Sequence, residues 1–157
     1  MPVTEPVDLD LHPSASGRLF TPGEANALLP TVEAVLRRMD PKLVRLRDLE
    51  ELLEDHEAYW GADLQEPGHP EREAYLGIVA ELAGVRAALE ADAVAIRETG
   101  AELKDVHRGL IDFHATIDGQ IAYLCWRRGE PRVGHWHTLE AGYAGRTPLP
   151  DVPRSEP

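Results

Sequence analysis

Several kinds of residue are scarce in this chain of 157 residues, and each scarcity excludes a class of protein. There is a single cysteine, so no disulfide can form within the chain, and a reducing compartment, the cytoplasm, is expected. Aromatic residues make up 6% of the sequence and hydrophobic residues 43%, which predicts a mainly aliphatic core. No apolar run approaches the roughly 18 residues of a membrane span, and no signal-peptide pattern opens the sequence.

Basic residues are also in short supply. The chain has 16 Lys and Arg against 28 Asp and Glu, a formal net charge of −12 at pH 7. Binding to nucleic-acid phosphates or to an anionic membrane surface requires basic patches, so neither partner is expected. The acidic excess lies outside residues 101–146, where acidic and basic residues balance. It is therefore expected on helices and tails, as a solvated acidic face.

The first half of the chain has the pattern of long helices. Thr21, Pro22 and Glu24 combine an N-cap, a first-turn proline and a capping-box glutamate, which together predict a helix start. Apolar residues then recur every three or four positions, close to a coiled-coil heptad. Pro30 and Pro41 interrupt this stripe, but it continues in phase beyond them. We therefore favour one long bent helix over two separate helices.

A second helix follows a loop over residues 61–70. Its apolar stripe predicts a helix from about Pro70 to Glu98, and Gly100 supplies the residue that tolerates a left-handed C-terminal cap. Two long helices joined by a short loop are typical of an antiparallel hairpin, here over residues 21–99. The hairpin alone buries little apolar surface, which also makes a homodimer through the helices a hypothesis.

Beyond Gly100 the pattern changes to short segments rich in β-branched and aromatic residues. Strands are predicted over residues 110–115, 120–126 and 132–138, with 102–106 as a fourth, edge strand. The dipeptide Asp118-Gly119 separates the first two strands and is typical of a β-hairpin turn.

The sequence thus predicts an α+β fold, in which a long antiparallel helical hairpin precedes a small three- to four-stranded antiparallel β-meander. One domain is expected over residues 19–149, with the β-subdomain at 101–146. Flexible tails are expected at 1–18 and 150–157, where no periodicity is present.

Candidate metal ligands lie in the β-subdomain. His135 and His137 are two residues apart, so on a strand both side chains point to one face, and Glu140 follows as the chain leaves that strand. Cys125 lies on the preceding strand. Two imidazoles, a thiolate and a carboxylate are suited to zinc or a similar transition metal. The alternative is that the histidines are ordinary sheet residues and Cys125 is a buried apolar thiol.

Other polar and aromatic residues of this segment are candidates for binding a small ligand. They are Asp105, Asp112, Arg127, Trp136 and Arg146. The alternatives are that the carboxylates form salt bridges or turns, and that the tryptophan seals the sheet against the helices. His107 and His114 have no patterned partner and are interpreted as incidental.

A set of short motifs is spread along the chain: Phe20-Thr21, Glu102-Leu-Lys-Asp105, Asp112-Phe113, Tyr123-Leu-Cys-Trp-Arg127, Gly129-Glu130, Trp136-His137 and Glu140-Ala-Gly-Tyr-Ala-Gly-Arg146. Over residues 19–149 this set resembles the uncharacterised bacterial family called domain of unknown function 2203. The resemblance implies a small bacterial protein with long helices and a β-subdomain, and implies no activity. The family pattern has other residue types at His135, which implies a smaller site of Cys125, His137 and Glu140 with Asp105 or Asp112.

Three functional hypotheses follow. We favour a binding module that holds a metal ion or small polar ligand in the β-subdomain. The alternatives are an enzyme using Cys125, His137 and an acidic group, and an adaptor that presents its acidic helices to another protein. The concentration of polar and aromatic residues in the β-subdomain disfavours the adaptor, and the mid-strand position of the cysteine disfavours the enzyme.

Overall fold

Two long helices precede an antiparallel sheet in the computed structural model, which describes residues 17–150. The helices are α1 (Pro22–Trp60) and α2 (Arg72–Glu98), with a short 3-10 helix (Gly61–Gln65) between them. The strands are β1 (Glu102–Asp105), β2 (Leu110–Ile117), β3 (Gln120–Arg127), β4 (His135–His137) and β5 (Thr147–Pro148). The predicted α+β class is confirmed, but the sheet has five strands rather than three or four.

The described residues divide into two compact units. The helical unit contains residues 37–93, and the sheet unit contains residues 17–36 together with 94–150. The predicted single domain over 19–149 stays a prediction, and nearly all of the two predicted tails lies outside the described residues. Across residues 17–150, no helix combines the length and the apolar character that crossing a membrane requires.

The start of α1 follows its local sequence. The Glu24 backbone N–H donates to Thr21 Oγ1 (3.1 Å), and the Thr21 N–H donates to Glu24 Oε1 (3.0 Å), which is the predicted capping box. Phe20, just before the cap, is buried and packs edge-on against Phe113, with ring centroids 5.2 Å apart. From this start α1 is one continuous helix through both of its internal prolines, as predicted.

Side-chain contacts connect α1 and α2 within the helical unit. Arg45 Nη2 lies 2.7 Å from Glu81 Oε1, and the Tyr75 hydroxyl donates to Glu57 Oε1 (3.2 Å). Later positions of α1 thus contact earlier positions of α2, the order expected of antiparallel helices. The homodimer through these helices stays a prediction.

One buried carboxylate in the helical unit is surrounded by cations. Asp92 is 4% exposed, and its two carboxylate oxygens contact Arg38 Nε (2.8 Å) and Lys42 Nζ (2.5 Å). Both cations come from α1, one helical turn apart, so a single aspartate on α2 binds a pair of side chains on one face. This carboxylate is fully compensated by side chains of the chain itself.

The sheet is a meander in which β1 to β5 pair in chain order, all antiparallel. The β2–β3 turn consists of the two residues Asp118 and Gly119, with φ of 50° and 79°. Positive φ at both positions is the requirement of a type I′ turn, which glycine and aspartate meet with little strain. The turn aligns β2 and β3 over their full length, from Ile117 opposite Gln120 to Leu110 opposite Arg127.

The last two strands are short. β4 pairs with β3 over only three residues, against the predicted 132–138, and β5 adds two residues that pair with β4. β5 was not predicted because Thr147-Pro148 shows no apolar alternation, and a proline is tolerated there only because the strand is at the sheet edge.

Facing residues of antiparallel strands share a face, so this register sorts the side chains of the sheet. One face is apolar and carries Leu103, Ile111, Phe113, Ala115, Ala122, Leu124, Trp126 and Trp136. The other face carries Glu102, Asp112, His114, Tyr123, Cys125, His135 and His137. Four ionisable groups of this polar face are nevertheless as buried as the core, at 1–3% exposure: Glu102, Asp112, Cys125 and His137. Buried ionisable groups require partners, so this face is the candidate functional site.

Candidate functional site

Three side chains of different chemistry converge at the centre of the polar face. Asp112 on β2 lies directly opposite Cys125 on β3, and His137 on β4 approaches the same point. One potential metal-binding atom from each of the three lies within 4.8 Å of the others, and all three residues are buried. Among the described residues, this is the group of three or more histidine, cysteine and acidic side chains whose geometry is compatible with a metal ion.

The hydrogen bonds of His137 fix the direction of its ring. Nδ1 lies 2.7 Å from the Thr138 carbonyl oxygen, which can only accept, so Nδ1 carries a proton. The other ring nitrogen, Nε2, lies 3.0 Å from Asp112 Oδ2. A carboxylate oxygen and an unprotonated imidazole nitrogen are both acceptors. A proton or a metal ion must therefore lie at this contact.

Burial raises the pKa values of the other two cluster residues, Asp112 and Cys125. Burial raises the pKa of Asp112, and the neighbouring His137, Cys125 and Lys104 only partly oppose that effect. Burial also raises the pKa of the Cys125 thiol to about 12, helped by the adjacent Asp112 charge and only partly opposed by Arg146. Without a bound cation the cysteine is therefore a neutral thiol that donates a hydrogen bond to Asp112.

A cavity of about 170 Å³ opens directly onto the cluster. Its lining includes all three cluster residues, so a small molecule in the cavity lies beside the cluster. The lining residues are Lys104, Leu110, Asp112, Tyr123, Cys125, His137, Leu139, Gly142 and Tyr143. The lining thus combines polar side chains of β1, β2, β3 and β4 with the side chains of Leu110 and Leu139.

A second polar network borders the cluster on the β1 side. The Glu102 carboxylate contacts Lys104 Nζ (2.7 Å) and His114 Nδ1 (3.3 Å), and Lys104 Nζ lies 3.4 Å from the Tyr123 hydroxyl. Burial alone raises the pKa of Glu102, but the hydrogen bond and charge of Lys104 outweigh it and hold that pKa below its usual value. The Tyr123 ring, 5.3 Å from the His137 ring, joins this network to the cluster.

The predicted metal ligands are only partly brought together. Cys125 and His137 lie in the cluster, but His135 and Glu140 do not. His135 is opposite Cys125 in register, yet its Nδ1 is 3.5 Å from Glu130 Oε2, so its ring is turned toward that carboxylate. Glu140 is exposed in the turn after β4. The structure thus places an aspartate, rather than a second histidine and a glutamate, beside Cys125 and His137.

The residues predicted to bind a small ligand are dispersed, and only Asp112 lies in the cluster. Asp105 accepts hydrogen bonds from two backbone N–H groups after β1, at 3.0 Å each, which is a turn-stabilising role. Arg127 is exposed and donates to the Tyr143 hydroxyl (3.3 Å). Trp136 lies on the apolar face, because it is opposite Leu124.

Arg146, the last of these predicted residues, lies at the edge of the cluster. Its Nη2 contacts Glu130 Oε1 at 2.5 Å, and its guanidinium lies 4.9 Å from the centre of the Tyr143 ring. Its charge also reaches Cys125, where it lowers the pKa of the thiol and so opposes the larger effect of burial.

Sequence reasoning missed the roles of Glu102, Lys104 and Tyr123, and the interpretation of His114 as incidental was wrong, since it contacts Glu102. The missing information was the strand register, and the Asp118-Gly119 turn contained it. A two-residue hairpin loop pairs the residues on either side of it in order, so Asp112 opposite Cys125 follows by counting from the turn.

Comparison with known proteins gives a match at the level of a protein family. The model of a family described as an uncharacterized conserved protein (DUF2203) matches residues 18–149, which includes both helices and the whole sheet. No curated protein and no solved structure shows a significant match.

Proposed function

The chain belongs to the DUF2203 family, and we propose that it is a metal-binding protein whose Asp112, Cys125 and His137 hold one transition-metal ion, with zinc as the first candidate. The observation that carries this proposal is the convergence of three different ligand types at one buried point. Thiolate, imidazole and carboxylate together are a donor set that zinc accepts, whereas magnesium and calcium prefer oxygen alone.

The orientation of His137 supports the proposal. A metal-binding histidine generally donates its other ring N–H to a carbonyl or carboxylate, which fixes the tautomer and directs the free nitrogen at the metal. The Nδ1 contact with the Thr138 carbonyl does this and leaves Nε2 directed at the Asp112 and Cys125 side. A metal ion at this point replaces the proton that the His137–Asp112 contact otherwise requires.

The charge of the ligands also fits a divalent ion. With Cys125 as a thiolate and Asp112 ionised, two negative charges compensate a divalent cation, so the buried site becomes formally neutral. The raised pKa values of Cys125 and Asp112 are then a property of the metal-free protein, because a bound metal displaces the thiol proton. Metal binding is therefore expected to strengthen as the pH rises.

Three protein ligands leave the fourth position of a tetrahedral ion open. Structural zinc sites have four protein ligands, whereas sites with three keep a position for water or a ligand. The cavity beside Asp112, Cys125 and His137 provides the space for such a ligand. This favours a site that binds an external molecule over a purely structural one.

The alternative, an enzyme that uses Cys125 as a metal-free nucleophile, is less well supported. A nucleophilic cysteine needs a lowered pKa, and burial beside Asp112 raises the pKa of this thiol to about 12. His137 also engages Asp112 through Nε2 rather than acting as a base for the thiol.

The test is elemental analysis of purified, untagged protein loaded with zinc and then desalted. We expect about one zinc per chain for the wild type and loss of most of it in Cys125→Ser and His137→Ala, because each removes a direct ligand. His135→Ala is the matched control: it removes a histidine from the same strand and face that lies outside the cluster.

Glu140→Ala is a second control, because that carboxylate is exposed in the turn after β4. Both controls are expected to keep their zinc. Absence of zinc from the wild-type protein contradicts the proposal, and so does equal loss of zinc in His135→Ala and His137→Ala.

A further inference from the structure

The cavity beside the cluster has an unequal distribution of charge once a metal ion is bound. The metal ion then neutralises the negative charges of Asp112 and Cys125. The ionised group that remains in the lining is Lys104. The partner of this lysine, Glu102, is 2% exposed and is not part of the lining. The cavity therefore presents a positive charge, with the matching negative charge buried behind it.

Lys104 is held in place and keeps donor capacity. Its ammonium nitrogen lies 2.7 Å from Glu102 Oε2 in an ion pair, donates to the Tyr123 hydroxyl (3.4 Å) and lies 4.6 Å from the centre of the Tyr123 ring. An ammonium group has three N–H donors, so these two contacts leave a third for a molecule in the cavity. A preorganised cation of this kind costs less to order on binding than a mobile surface lysine.

The volume of the cavity and its apolar lining further restrict the class of ligand that can bind. A volume of about 170 Å³ is close to the roughly 150 Å³ of a cavity that holds benzene, so it accommodates a ligand of about six non-hydrogen atoms or fewer. Leu110, Leu139 and the ring of Tyr143 line part of the cavity. They provide contacts for a short hydrocarbon group, which a purely inorganic anion lacks.

We propose that this cavity binds a small monocarboxylate, whose carboxylate group occupies the open position of the metal and accepts a hydrogen bond from Lys104, and whose short apolar part contacts Leu110 and Leu139. The inference rests on the proposed metal site and adds the class of ligand. Lys104 acts as the recognition group for the carboxylate, and Tyr123 positions it.

The test uses protein loaded with cobalt(II), whose visible spectrum reports changes in the ligands and coordination number of the metal. Acetate, propionate, the neutral acetamide and inorganic phosphate are titrated separately. We expect saturable spectral changes with acetate and propionate, tighter binding of propionate, and no change with acetamide. Phosphate is expected to bind more weakly than either carboxylate because it gains nothing from the leucines.

Two variants and one control variant test the contributions of these residues. Lys104→Met keeps a long apolar side chain over Tyr123 but removes the charge, and is expected to weaken acetate binding about 10- to 100-fold, the range of a charge-assisted hydrogen bond. Arg108→Met removes a charge from the exposed β1–β2 turn instead, where Arg108 lies 3.8 Å from Asp105, and is expected to change nothing. Leu139→Trp keeps every charge but reduces the cavity, and is expected to weaken propionate more than acetate.

The outcomes separate the two proposals. If cobalt does not bind, the metal site and the ligand inference both fail. If cobalt binds and no carboxylate perturbs its spectrum, or if Lys104→Met binds acetate as the wild type does, only the ligand inference is overturned. Phosphate binding more tightly than propionate overturns the carboxylate class. The cobalt spectrum before titration shows whether each variant is folded and loaded, and Leu139→Trp tests the cavity independently if Lys104→Met does not fold.

Discussion

Two aspartates of the chain are buried to a similar extent but have different partners. The carboxylate of one contacts cations, and the carboxylate of the other contacts groups without a permanent charge. Asp92, in the helical unit, is 4% exposed and contacts the cations Arg38 and Lys42. Asp112, in the sheet unit, is 3% exposed and contacts His137 and the Cys125 thiol, neither of which carries a permanent charge.

The difference indicates which aspartate is structural. A buried carboxylate is costly unless charge and hydrogen bonds compensate it. Arginine and lysine provide that compensation for Asp92 at any physiological pH, so no further group is required. Asp112 is compensated only when a proton or a metal ion joins it, and this property is what makes it a candidate ligand.

The largest expected effect is on the reactivity of Cys125 in metal-free protein. A pKa raised from 9.0 to about 12 leaves about 1000-fold less thiolate at pH 7.5, and only the thiolate is alkylated. The labelling rate should therefore fall, since a raised thiol pKa favours the neutral, unreactive form. Iodoacetamide labelling followed by mass spectrometry should show very slow labelling in the folded protein and ordinary labelling in urea. Rapid labelling of the folded, metal-free protein at pH 7.5 would contradict the raised pKa of this thiol.

The next effect separates the two aspartates by metal affinity. Asp112→Asn should weaken zinc binding by about 100-fold or more, since loss of even a group that only supports a metal ligand costs about 10- to 100-fold. Asp92→Asn makes the same chemical change at a comparably buried site and should leave zinc affinity unchanged. Competition with a chromogenic chelator measures both. Equal affinity in the two variants would remove the distinction between a structural and a ligand aspartate.

Metal removal should lower stability in a way that depends on Asp112. Zinc present at about 100 times its dissociation constant stabilises the folded state by about 2.7 kcal/mol, so a chelator should lower the urea midpoint of the wild-type protein. The Asp112→Asn variant should show almost no chelator response. A wild-type midpoint that does not change with chelator argues against a metal that binds the folded state.

A smaller effect is expected for the structural aspartate. Asp92→Asn should lower the free energy of unfolding by about 1–2 kcal/mol, because it removes a charged hydrogen-bond partner while Arg38 and Lys42 remain accessible to water. The loss should be the same with and without chelator, which urea unfolding under both conditions measures. A chelator-dependent loss would link Asp92 to the metal.

Local patterns were sufficient to predict much of the fold. The capping box of Thr21 and Glu24, the continuous α1 and the left-handed Gly100, with φ of 96°, involve residues close in sequence. Strand β5 was missed because two residues pair with β4 only through tertiary structure. Alternation and turn residues indicate strands, but they contain no signal for so short an edge strand.

The site was predicted less completely because it depends on register and side-chain direction. The sequence predicts Cys125 and His137 as metal ligands, but it predicts Asp112 only as a residue that binds a small ligand. Alternation correctly predicted that His135 and His137 share a face, but it does not indicate that the His135 ring turns to Glu130. The direction of a side-chain ring depends on which hydrogen-bonding or charged group is nearest in space, and the tertiary structure determines that.

X-ray absorption at the zinc edge of the loaded wild-type protein tests the central claim most directly, because it identifies the atoms bound to the metal. Coordination by Cys125, His137 and Asp112 predicts one sulfur at about 2.3 Å and nitrogen or oxygen ligands at about 2.0–2.2 Å. The sulfur contribution should disappear in Cys125→Ser. A zinc spectrum with nitrogen and oxygen ligands only would contradict the claim, because it would place the metal away from the buried cluster.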